Sequence, residues 1–179
     1  MADTDTDTPT PESWKTLLTR WAFNLSPVYR STGGRITHIS ADWRQVRVRL
    51  PLTLWTRNYV GTLFGGSMYS CVDPFYMIML IRNLGPEYTV WDKAATIRFK
   101  KPGKHTLYAR FDIDEAELNA VREAAANARS IDRTYTVRLT DKQGVVHAEV
   151  DKVIYIRRNQ PKPATAESNT PGAVSAAQR

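Results

Sequence analysis

The spacing of hydrophobic positions changes several times along the chain, and each change marks a structural element. After Pro11, the residues Trp14, Leu17, Leu18, Trp21 and Leu25 recur at intervals of three and four. This predicts an amphipathic helix that ends before Pro27 and lays one apolar stripe on the body. The period then drops to two. Arg35 to Ser40 and Trp43 to Leu50 alternate apolar with polar residues and read as half-buried strands, with Val46, Val48 and Leu50 facing in and Arg47 and Arg49 facing out. Pro51 to Val60 is a loop. Gly61 to Leu84 is the most apolar segment, long enough for a helix buried nearly all round, and Gly85-Pro86 stops it. Four further strand-like runs follow at Val90–Lys101, His105–Asp114, Ile131–Asp141 and Val145–Arg157, with turn chemistry at Lys101-Pro102-Gly103-Lys104 and Asp141-Lys142-Gln143-Gly144. The Ala- and Glu-rich stretch Glu115–Asn127 predicts a helix inserted among them.

An antiparallel sheet must have one face covered, and only the 61–84 helix is long and apolar enough to cover it. The predicted fold class is therefore α+β, a sheet wrapped around a long central helix. The domain is expected over residues 11–158. An unstructured leader (1–10), mostly Thr and Asp, and a tail (159–179) that combines Pro, Thr, Ser and Ala flank it, with little to bury.

Composition narrows the class. The 179 residues, 42% of them hydrophobic, suffice for one domain with a real core, and they exclude collagen, coiled-coil arrays and wholly disordered chains. Lone Cys71 cannot form an internal disulfide and the N-terminus lacks the order of a signal peptide, so the expected location is cytoplasmic. Met68 to Leu84 is interrupted by Asp73, Pro74, Arg82 and Asn83, which makes it a poor spanning helix, and no membrane partner is expected. The net charge of +7 is unevenly placed. The first thirteen residues hold four acids and no base, and residues 159–179 hold two bases and one acid, leaving 23 bases against 13 acids in 14–158. A core this basic favours an anionic partner.

The candidate chemistry lies in Asn58 to Asp73. Gly65 and Gly66 stand at the mouth of the apolar helix, where bare backbone admits a ligand and the first amides lack an intrahelical acceptor. Such amides suit an oxyanion or phosphate. Asp73 lies seven residues after Gly66, two turns along the same face, and is the only acid between Asp42 and Glu87. A carboxylate there must be solvated, paired or functional. Each residue also has a structural reading: the glycines as close-packing positions, Asn58 as the closure of an Asx-turn, and Asp73, which precedes Pro74, as a kink residue capping the next turn.

Asn58, five residues, Phe64-Gly65-Gly66, six residues, then Asp73 resembles the hotdog-fold acyl-CoA thioesterases of the phenylacetyl-CoA and hydroxybenzoyl-CoA type. Their pattern has His where this chain has Phe64. The Gly-Thr-x-Phe-Gly-Gly entry with Asp-Pro in the helix is most similar to an uncharacterised thioesterase-like branch, and the likeness spans residues 12–157. The resemblance implies a hotdog fold, assembly as a homodimer or homotetramer, and sites at a dimer interface. At about 1.5 Å rise per residue Gly66 and Asp73 are roughly 10 Å apart along one helix, so acid and amide are expected from different protomers. Asp73 is the expected general base or nucleophile, the Gly66 N–H with Gly65 the oxyanion donor, and Asn58 the group that orients water or carbonyl. Phe64 and Tyr69, with Phe75, Tyr76, Met77 and Met79, are candidates to line an acyl pocket, and Arg98, Lys100, Lys101 and Lys104 to meet the phosphates of coenzyme A, with Arg157 and Arg158 as additions to that set.

No cofactor is expected beyond coenzyme A as part of the substrate. His38, His105 and His147 show no metal-ligand spacing, so no metal is expected, and no P-loop, dinucleotide fingerprint or nucleophile elbow occurs. Because Phe64 removes an imidazole, a non-catalytic acyl-CoA or acyl-carrier binder is the alternative. Nucleic-acid binding through the basic core is the remote one, since Arg44, Arg47, Arg49, Arg110 and Arg138 are scattered over outward strand positions.

Overall fold

A capping box opens the fold. In the computed structural model, which describes residues 10–159, Ser13 caps α1 (Trp14–Leu25): its hydroxyl accepts from the Thr16 amide at 3.2 Å, and Thr16 Oγ1 accepts from the Ser13 amide at 2.9 Å. The expected leader and tail lie outside the described residues except for Thr10 and Asn159. Asn159 still donates from its backbone to Glu87 O at 2.7 Å.

Six strands form one antiparallel sheet in the order β1-β2-β4-β5-β6-β3: β1 (Arg35–Ile39), β2 (Gln45–Leu50), β3 (Tyr88–Phe99), β4 (Leu107–Asp112), β5 (Ile131–Thr140) and β6 (Val146–Arg158). The helix α5 (Glu115–Asn127) is inserted between β4 and β5 and is capped by Asp114, whose carboxylate accepts from the Glu117 amide at 2.7 Å. Alternation in β2 buries Val46, Val48 and Leu50, and inward residues of β4, β5 and β6 supply Leu107, Phe111, Leu139, Val150 and Ile154.

The central helix runs from Gly65 to Leu84 in two segments, α3 (Gly65–Ser70) and α4 (Phe75–Leu84), with a short helix α2 (Pro27–Ser31) preceding the sheet. The expected continuous helix is thus broken at Cys71–Pro74, because Pro74 has no N–H and disfavours helical backbone at Asp73. Gly85 then ends α4 at φ +83°, a conformation that favours glycine. Phe75, Met79 and Leu80 are buried against the sheet, and Phe75 and Tyr76 each hold Phe111 at 5.1 Å between ring centroids. These aromatic residues and Met79 pack the core.

One expectation for α1 is corrected. Its apolar stripe does not lie on the body: Trp14, Leu17, Leu18, Trp21 and Leu25 are exposed, and Thr16 is its buried residue. Polar groups anchor the helix instead. Asn24 donates to Ile36 O at 2.9 Å and accepts from Ile36 N at 2.8 Å, and Glu12 accepts from Ile39 N at 2.9 Å. These side chains take the place of a neighbouring strand along the edge of β1, which turns the apolar face outward. Among the described residues, no helix is long and apolar enough to cross a membrane.

Candidate functional site

The break in the central helix presents Asp73. Its Oδ1 accepts from Tyr69 Oη at 2.7 Å, one turn earlier, and from Lys152 Nζ at 2.5 Å. Its Oδ2 accepts no hydrogen bond among the described residues, and the side chain is 39% exposed. Asp73 does not cap the following turn, since α4 has no side-chain cap.

Lys152 explains this arrangement. In β6 the inward positions are Ala148, Val150, Lys152, Ile154 and Ile156, so the strand period carries a lysine into the apolar layer, where only 1% of its side chain is accessible. A buried ammonium needs compensation. It is provided by Asp73 and by Asp92 of β3, whose Oδ1 lies 3.1 Å from Nζ without hydrogen-bond alignment. Asp92 faces inward because it pairs across the ladder with Ile154, and a register shift follows between Asp92 and Ala94. Burial works against the Lys152 charge, but the two carboxylates outweigh it and hold the ammonium above its ordinary value. Burial pushes the Asp92 carboxyl up against the pull of Lys152, and it pushes the Tyr69 hydroxyl up with help from the bond to Asp73.

Neither Lys152 nor Asp92 was among the candidates from sequence. The signal present in the chain was the alternation Val150-x-Lys152-x-Ile154, which puts a base where an aliphatic residue belongs.

The helix mouth is built on close approaches. A Cβ on Gly65 would stand 2.8 Å from Phe99 Cζ, and one on Gly66 would overlap Phe64 Cε1. Both glycines therefore let an aromatic ring close on the backbone. Their amides donate to no acceptor among the described residues, the first helical bond being Met68 N to Phe64 O at 3.1 Å. A cavity of about 380 Å³ opens beside them, lined by Asn58, Gly65, Phe99, Lys100 and Lys101 among others.

Asn58 closes its own loop. Its Oδ1 accepts from Thr62 N at 3.0 Å and its Nδ2 donates to Thr62 Oγ1 at 2.9 Å and Leu63 O at 3.4 Å. The amide is engaged at both ends, so its contribution here is to shape the cavity wall.

The basic candidates separate. Arg98 is bound to Glu149 at 2.9 Å and Asp151 at 2.7 Å, which ties it to β6, unlike the lysines beside it. Lys100 and Lys101 remain at the cavity. Lys104 lines a different hollow with His105 and Asp141. Arg157 and Arg158 lie at the opposite end of the β3–β6 ladder. Among the described residues, no group of three or more His, Cys, Asp or Glu side chains is placed to hold a metal ion. His147 is a satisfied core histidine, bonded to Pro102 O and Asp141 at 3.1 Å each.

Chemically, the arrangement offers a carboxylate with one oxygen fixed and the other open, on the same broken helix as two unpaired amides. Residues 15–156 match the family described as Domain of unknown function (DUF4442). No curated protein matches the chain. Among solved structures, a Pseudomonas aeruginosa protein described as of unknown function and a probable thioesterase is similar at TM-score 0.70 and 20% identity, covering 84% of this chain and 99% of that one. A thioesterase of Haemophilus influenzae gives TM-score 0.59 at 12% identity, covering 83% and 93%. A variant of a second Pseudomonas aeruginosa thioesterase gives 0.60 at 12%, covering 84% and 97%. The likeness establishes the hotdog fold.

Proposed function

The chain belongs to the DUF4442 family, whose description names no activity, and from that premise we propose that it is a thioesterase acting on an acyl-coenzyme A. The observation that carries this reading is the state of Asp73, with Oδ1 held by Lys152 and Tyr69 and Oδ2 open. The names of the similar structures support the reaction class.

Asp73 Oδ2 takes a proton from water as the water oxygen attacks the thioester carbonyl carbon. Alternatively, Oδ2 attacks that carbon directly, and water then hydrolyses the resulting anhydride. In both routes the C–S bond breaks and the thiolate leaves, taking up a proton. Lys152, with Tyr69, holds Oδ1 and so fixes the orientation of the Asp73 carboxylate. The Gly66 N–H, with that of Gly65, faces the developing oxyanion. Lys100 and Lys101 meet the phosphates of the coenzyme.

The acid and the amide come from different protomers of a two-fold dimer. Support comes from β3, a twelve-residue strand whose outer edge has no neighbouring strand among the described residues and which exposes Trp91, Ala94, Ala95 and Phe99. Pairing of two β3 edges would join the sheets and bring the helix breaks toward one another.

A second reading, acyl-CoA or acyl-carrier binding without turnover, is favoured by Phe64, which covers Gly66 with a ring that transfers no proton. Assay of an acyl-CoA panel with wild type and Asp73→Ala separates the two. Hydrolysis lost in the variant supports the thioesterase, hydrolysis surviving the substitution sinks the mechanism, and binding by calorimetry with no turnover in either protein establishes the binder.

A further inference from the structure

The outward face of α1 is apolar along its whole length. Trp14 is 68% exposed, Leu18 59%, Trp21 55% and Leu25 64%, and Val28 at the start of α2 continues the stripe at 81%. Beside it runs a groove of about 540 Å³ whose walls include Trp21 and Leu25 together with Arg20, Arg30, Arg35 and Arg49. Arg20 is paired with Glu12 at 2.9 Å, and Arg35 donates to Gly34 O at 2.7 Å. Arg30 and Arg49 are exposed and hold no ion pair among the described residues. Among the described residues, Glu12 is the acid ion-paired to an arginine of this groove.

Two properties coincide here. The apolar stripe lies flat along a helix about 18 Å long and is anchored to the body through its opposite side. The arginines rim the stripe and leave positive charge in excess. A two-fold contact of this face with itself would press arginines against arginines, whereas an anionic amphiphilic surface satisfies both properties at once. Tryptophan suits such a boundary because its ring is apolar and its N–H is polar.

We propose that the α1 face docks the protein on a membrane surface containing anionic phospholipid, with α1 in the headgroup plane. Trp14, Leu18, Trp21 and Leu25 enter the acyl boundary while Arg30, Arg35 and Arg49 meet headgroup phosphates. This is a surface contact without a spanning segment, and it stands independently of the thioester reaction.

The test is co-sedimentation of the full chain with phosphatidylcholine vesicles, with or without roughly 30% phosphatidylglycerol to supply negative surface potential. The wild type is expected to sediment with the anionic vesicles and to stay in solution with the neutral ones. Arg30→Glu with Arg49→Glu lowers partitioning about 25-fold or more, at about fivefold for each basic side chain removed from the surface. Leu18→Glu with Trp21→Glu abolishes partitioning while thermal melting stays unchanged, because both residues are exposed. The proposal is overturned if the wild type ignores anionic vesicles, if neutral vesicles bind it equally, or if both double variants bind as the wild type does. It is also overturned if the Leu18/Trp21 variant alone sediments as a smaller species without vesicles, which would make this face a contact between copies of the chain.

Discussion

Lys152 Nζ lies 2.5 Å from Asp73 Oδ1, which ties the last strand to the break in the central helix across 79 positions of sequence. With Tyr69 also on Oδ1, the carboxylate cannot rotate freely, and Oδ2 is the oxygen left for a substrate or water. Asp73→Asn keeps the shape and removes the basic or nucleophilic oxygen. Turnover of a responsive acyl-CoA is expected to fall about 10²- to 10⁴-fold, with the circular dichroism spectrum unchanged. Activity within a few fold of wild type would remove Asp73 from the chemistry.

Lys152→Met tests the other end of the link. The substitution leaves Asp73 and Asp92 facing each other around an apolar side chain, and loss of one partner of a buried pair typically costs about 3–5 kcal/mol. Because Asp73 is 39% and Asp92 26% exposed, solvent screening puts the expected loss at the lower end, about 3 kcal/mol in urea denaturation. Adding Asp92→Asn should recover part of it. Equal stability of the single and double variants would show that the two carboxylates do not sense each other through Lys152.

Much of this was legible in the chain before its structure was known. The period-two runs located the strands, and the spacing of Asn58, Gly65, Gly66 and Asp73 identified the hotdog pattern. The spacing could not report what lay across the sheet. Asp92 and Lys152 belong to different strands, and their meeting depends on β3 pairing with β6 outside sequence order. Arg98 looked free because its acceptors, Glu149 and Asp151, sit about fifty residues away on β6. The outward turn of α1 was hidden for a different reason. Amphipathic periodicity reveals that a helix has an apolar face, but not which way that face points, and here the polar grip of Asn24 on Ile36 decided the direction.

Two groups at the helix break, Lys152 and Asp92, contribute to the pH dependence of stability with opposite signs. The folded-state pKa of Lys152 is raised, so its stabilisation is complete below the unfolded value of about 10.4 and is lost as pH climbs through the folded value. The melting-temperature gap between wild type and Lys152→Met should stay level from about pH 6 to about pH 9 and narrow only above about pH 10. Asp92 is also raised, by burial, so the fold favours its neutral form. Its contribution is present below about 3.9 and lost as pH rises through the folded value. Asp92→Asn should therefore raise the melting temperature near neutral pH, and the gain should vanish near about pH 3. A gain that persisted in acid would assign the effect to packing.

Lys100 and Lys101 line the cavity at the helix mouth, while Arg98 is held by two carboxylates. Charge reversal at Lys100 and Lys101 should raise KM for an acyl-CoA about tenfold with kcat nearly unchanged, since contacts to a distant phosphate bind ground state and transition state alike. Arg98→Gln should leave KM within about twofold and act on stability instead. An effect of Arg98→Gln on KM equal to that of the lysines would return it to the phosphate site.

Two glycines distinguish space needed by the fold from space needed by the site. A Cβ on Gly34 would stand 2.7 Å from Cys71 Cβ and 3.0 Å from the Tyr29 hydroxyl, in a buried position where neither neighbour can withdraw. Gly34→Ala should cost about 1–3 kcal/mol, the usual range for overpacking. The three atoms nearest a Cβ on Gly66 all belong to the Phe64 ring, and that residue is 55% exposed, so its ring has room to swing away. Gly66→Ala should therefore shift stability by no more than about 0.5 kcal/mol. Its cost appears in function: the displaced ring and added methyl crowd the unpaired amides, and turnover should fall about tenfold or more, as when part of an oxyanion donor set is impaired. Unchanged turnover in Gly66→Ala, alongside a destabilised Gly34→Ala, would mean that the second glycine of the pair serves only the closure of Phe64 on the helix.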